Sequence, residues 1–70
     1  MYDWKSRPPG SKLVDVDEMP VVMLPDRTCF WAKSGKELDW GRVVRDGIEV
    51  SEAEFEALVS SPRRILRAEP

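Results

Sequence analysis

Cys29 is the only cysteine in the chain, and there is no histidine. Nucleophilic catalysis of the Ser/His/Asp or Cys/His kind needs a base that titrates near neutrality, so Cys29 and the serines lack their usual activator. The thiol sits in the run Thr28-Cys29-Phe30-Trp31-Ala32, whose apolar, β-favouring neighbours are the setting of a buried, inert cysteine. A lone cysteine closes no internal disulfide, and without histidine the common zinc ligand sets cannot be assembled. A reducing, cytoplasmic compartment and no cofactor are the expectation.

Two other groupings invite a chemical reading and fail on spacing. Gly35-Lys36 resembles the end of a phosphate-binding loop, but the positions that would need glycine and then Ser or Thr hold Phe30 and Glu37, so the backbone cradle is missing. Asp15, Asp17 and Glu18 offer oxygen ligands of the kind calcium or magnesium takes. Met19-Pro20 follows where a further ligand and a glycine turn are required, which leaves a solvated strand end and no metal. No carboxylate pair is singled out for acid and base work, and the chain reads as a non-enzyme.

The remaining signals concern binding. Trp4, Trp31 and Trp40 are many tryptophans for 70 residues, and tryptophan is enriched at the desolvated anchors of protein interfaces. All three are candidate partner-binding residues; the plainer role for Trp31 and Trp40 is that of large core residues in a chain short of aliphatics. Arg63, Arg64 and Arg67 form an alternative, nucleic-acid-binding set, because guanidinium groups donate paired hydrogen bonds to phosphates. With a salt slope of about −0.9 per phosphate, three such contacts give weak, salt-sensitive binding. The five acidic residues between positions 46 and 60 (Asp46, Glu49, Glu52, Glu54 and Glu56) oppose it, and the net charge of −2 adds no general attraction.

The elements that must position these residues follow from punctuation and periodicity. Residues 1–11 hold two prolines and a Gly-Ser pair, with Tyr2 and Trp4 as the large apolar groups, and read as a flexible N-terminal arm preceding a single domain over 12–70. One aromatic of the arm lies back on the domain, or the arm is a docking peptide. Lys12 to Asp17 alternates as an edge strand does. Val21 to Leu24 and Thr28 to Ala32, joined by Pro25-Asp26-Arg27, predict a β-hairpin that ends at Ser34-Gly35-Lys36.

Residues 40–50 allow two readings. Asp46-Gly47 can close a hairpin between β-branched runs. Alternatively Asp39 is an N-cap with Leu38 and Val43 as a hydrophobic staple, giving a short helix from Trp40 to Arg45; Gly47 would then be a left-handed C-cap, with Ile48 touching Val43. The helix is the preferred reading. Ser51 and Glu54 form a capping box, with Val50 and Phe55 at the staple positions, so a helix runs from Glu52 to about Ser60 and buries Phe55, Leu58 and Val59. Ser61-Pro62 starts a further turn that returns Ile65 and Leu66 to the core.

The fold class expected is therefore α+β: an N-terminal β-hairpin or small antiparallel sheet followed by one or two short C-terminal helices. Seventy residues bury roughly 60% of the unfolded surface, a marginal core that a partner would supplement. The longest aliphatic run, Val21 to Leu24, is far too short for a bilayer, and positions 1–9 carry no export signal. The function expected is that of a small accessory or regulatory protein that binds and masks or modulates a larger protein, by analogy with phage-type inhibitors of host machinery. A homodimer is a second form of partner, nucleic acid a weaker one, and no membrane is expected.

Overall fold

The computed structural model describes residues 1–60. Five strands, β1 (Lys12–Val16), β2 (Met19–Met23), β3 (Cys29–Trp31), β4 (Glu37–Leu38) and β5 (Gly47–Glu49), form one antiparallel sheet in the order β4-β3-β2-β1-β5. Helix α1 (Trp40–Asp46) lies between β4 and β5 in the chain, and α2 (Glu52–Ser60) follows β5. The fold is α+β, as the sequence indicates.

Strand periodicity sorts the core into two layers. Val14, Val16, Val21, Cys29 and Trp31 share one sheet face and meet Val43 of α1. Leu13 and Val22, paired across β1 and β2, point to the opposite face and meet Phe55 of α2 together with Trp4 and Ala32. The helices therefore cover opposite faces, and β1 and β2 are buried on both sides. This corrects the reading of Lys12 to Asp17 as an edge strand: β5 pairs with β1 at Val14, Asp15 and Val16 and supplies the edge itself.

Turn chemistry sets the registers. Asp17 and Glu18 lie at φ 53° and 68°, the two left-handed positions of a tight hairpin turn, with the Glu18 N–H donating to Asp15 Oδ1 at 2.7 Å. The second hairpin has a three-residue loop. Pro25 presets the turn, the Arg27 N–H donates to the Leu24 carbonyl (3.0 Å), and Arg27 takes the left-handed residue at φ 72°.

Residues 40–46 take the preferred helix reading; the Asp46-Gly47 hairpin does not form, and residues 47–49 pair with β1 instead. Asp39 Oδ2 accepts the Arg42 N–H at 3.2 Å and caps α1, and Leu38 packs against the core layer that holds buried Val43. The helix then passes directly into β5. Gly47 is extended, at φ −92° and ψ 155°, and Ile48 is exposed, so the left-handed C-cap with its Ile48 to Val43 contact does not form. Glycine is needed there for space: an added Cβ would sit 2.5 Å from the Val43 carbonyl oxygen and against Val14. The capping box of α2 is complete, Ser51 Oγ accepting the Glu54 N–H and Glu54 Oε1 the Ser51 N–H, each at 3.2 Å. Phe55 is buried, with Val50 and Val59 packed beside it.

The N-terminal segment lies back on the domain, one of the two forms expected of its aromatics. Proline at position 20 has no N–H to return to Ala32, although the Ala32 N–H donates to the Pro20 carbonyl (2.9 Å). The Ala32 carbonyl accepts the Tyr2 N–H instead, at 2.9 Å. Tyr2 stacks on Phe30 (5.1 Å between centroids) and Trp4, in a 3-10 turn over Trp4–Ser6, meets Phe55 edge-on at 4.8 Å. The segment read as a loose arm ahead of Lys12 thus supplies Trp4 to the core.

Candidate functional site

The structure separates the three tryptophans. Trp4 is 5% exposed in the layer under α2, and Trp31 is 2% exposed in the layer under α1 with the Arg42 guanidinium over its ring at 5.2 Å. Both are core residues and neither presents a binding face. Trp40, at 36% exposure, is the one that reaches the surface. Arg63, Arg64 and Arg67, with the further turn expected from Ser61-Pro62, lie outside the described residues.

Trp40 opens α1, and Val44, 54% exposed, lies four residues further on the same helical face. The helix is held by its two ends, the Asp39 cap and the close packing of Gly47, and by Val43 in the core. Its outward face therefore rests on a rigid base. Arg27, projecting from the β2–β3 loop, places its guanidinium 4.6 Å from the Trp40 ring centroid, within cation–π range. Arg27 was not among the binding residues expected from sequence. Its position at the third place of a proline-led loop was visible, but the stack joins residues 13 positions apart and needs the fold.

The other chemical candidates resolve as structure. Cys29 is buried, and burial first, then the carboxylates of Asp39, Glu37 and Asp26, push its thiol above the ordinary range and away from the reactive thiolate. Asp15 is occupied by the Glu18 N–H, and Asp17 pairs with Arg42 at 3.3 Å. Among the described residues no three His, Cys, Asp or Glu side chains are grouped to hold a metal ion, and no helix is long and apolar enough to cross a membrane. Asp26 is held below the usual carboxylate range by hydrogen bonds from Thr28. An open groove of about 470 Å³ lies between Tyr2, Trp4 and Lys5 and the end of α2 at Glu56, Val59 and Ser60. Two of its charged groups, Lys5 and Glu56, already face each other at 3.9 Å.

No protein-family model matches the chain, and neither a curated protein nor a solved structure matches it at a significant level.

Proposed function

We propose that the chain is a small protein-binding module that docks on a larger protein through the outer face of α1 and thereby masks or modulates it. The observation that carries this reading is Trp40, a tryptophan kept at the surface beside exposed Val44 while the other two are packed away. Interface energy concentrates in such aromatic anchors, and a rigid support lowers the ordering cost of binding. Helix α1 gains little for folding from exposing them, since Val43 alone of its residues is buried.

The test is affinity capture from a host lysate with the wild-type chain and with Trp40→Ala, at low and high salt. Trp40→Ala should lose captured proteins that survive high salt on the wild type, with a Kd weakened about thirtyfold for an anchor of ~2 kcal/mol. Equal capture by both chains, with equal melting temperatures, would remove α1 as the docking face.

A further inference from the structure

We propose that Arg27 and Trp40 act together as the anchor of that face, and that what they accept is a carboxylate side chain, Asp or Glu, next to an aliphatic residue of a protein partner. This rests on the docking face argued above and names its chemistry. Three observations carry it.

First, Arg27 occupies a backbone position, φ 72°, where a side chain is disfavoured and glycine is the usual solution. Glycine can replace Arg27 there without strain, which isolates its side chain for test. Second, the guanidinium lies over the exposed Trp40 ring at 4.6 Å. A contact with the ring uses the charge of the group and none of its oxygen partners, and a carboxylate meets a guanidinium fork with two parallel hydrogen bonds. Third, Arg7, Arg42 and Arg45 each meet a carboxylate, at 3.7, 3.3 and 3.3 Å, whereas Arg27 meets none within ion-pair range among the described residues. Val44, one helical turn from Trp40, supplies apolar surface for the neighbouring aliphatic group.

The surrounding charge selects between anions. Asp26 and Asp39 flank the pair in sequence, and with Glu37 they all act on Cys29 in the same corner of the fold. Asp26 accepts the Thr28 N–H and Asp39 the Arg42 N–H, so both remain as charged neighbours. A phosphate dianion meets roughly twice the repulsion of a carboxylate there. Recognition depends on the paired hydrogen bonds more than on a long-range field.

The experiment is a titration of the full chain, followed by the indole N–H of Trp40 and the amide of Val44 in nitrogen–proton correlation spectra. The probes are acetyl-Leu-Glu-Leu-amide, its glutamine counterpart acetyl-Leu-Gln-Leu-amide, and inorganic phosphate. The glutamate peptide should shift both signals, with the glutamine peptide about tenfold weaker through loss of the charged hydrogen bonds. Arg27→Gly suits the left-handed turn and should fold at least as well; it should abolish the preference for glutamate. Equal shifts from both peptides would leave α1 as a docking face and overturn the carboxylate. Stronger shifts of the same two signals from phosphate, lost in Arg27→Gly, would overturn the choice of anion. Absence of any shift would overturn the proposed anchor, with the α1 face still judged by capture with Trp40→Ala.

Discussion

Trp4→Ala tests the packing of the N-terminal segment onto the domain. An aromatic side chain buries about 150–250 Å², so at ~25 cal/mol per Å² a ring left 5% exposed stabilises by at most about 4–6 kcal/mol. Residual burial in the unfolded chain lowers this, and large-to-small substitutions at such sites cost about 3–5 kcal/mol. At ~0.05–0.15 kcal/mol per residue, a chain of this length has about 3.5–10 kcal/mol in all. The substitution should therefore lower the melting temperature by at least ~12 °C, at about 4–8 °C per kcal/mol, or unfold the domain outright. The ion pairs Lys5 to Glu56, exposed, and Arg7 to Glu52, with Arg7 half-buried, are contacts of small worth beside the ring. Thermal melting followed by far-ultraviolet circular dichroism is the assay, with Trp4→Phe as the conservative control that keeps an aromatic against Phe55. A double-mutant cycle with Phe55→Leu should return a coupling of about 0.5–1.5 kcal/mol. A Trp4→Ala chain that melts within about 3 °C of wild type would refute the reasoning and restore the loose arm.

Gly47→Ala should destabilise by about 1–3 kcal/mol in chemical denaturation, because its Cβ meets a helix carbonyl that cannot move aside. Replacing Glu18, at φ 68°, with glycine should stabilise by ~0.5–1 kcal/mol by the same measurement, since Asp-Gly suits this turn better than Asp-Glu; a loss would mean that the Glu18 side chain does more than tolerate the turn. Ser51→Ala should cost about 1 kcal/mol through the lost cap of α2, with hydrogen exchange rising first at the Glu54 amide.

Local signals in the sequence were sufficient for several elements. The Ser51 to Glu54 capping box, the Asp39 cap of α1, and the proline-led loop between β2 and β3 involve residues within five positions of one another. Their interactions form in any context that lets the segment order. Composition likewise fixes that Cys29 has no disulfide partner within the chain and that no histidine can activate it. What depends on distant residues was not legible. Whether Lys12 to Val16 is an edge or an interior strand is decided by β5, more than 30 residues away. The extended backbone of Gly47 follows from its pairing opposite Val16 in the sheet, which overrides the C-cap that local sequence favours. Trp4 and Trp40 look alike in the sequence as large rings beside polar residues. Pro20 leaves the Ala32 carbonyl without its ladder donor, Tyr2 fills the place, and Trp4 is carried onto Phe55. Trp40 starts a helix whose single buried residue is Val43, so its ring stays at the surface under Arg27. Side-chain type set what each ring can do, and only the tertiary arrangement decided which of them a partner can reach, because exposure is a property of all the chain that packs around a residue.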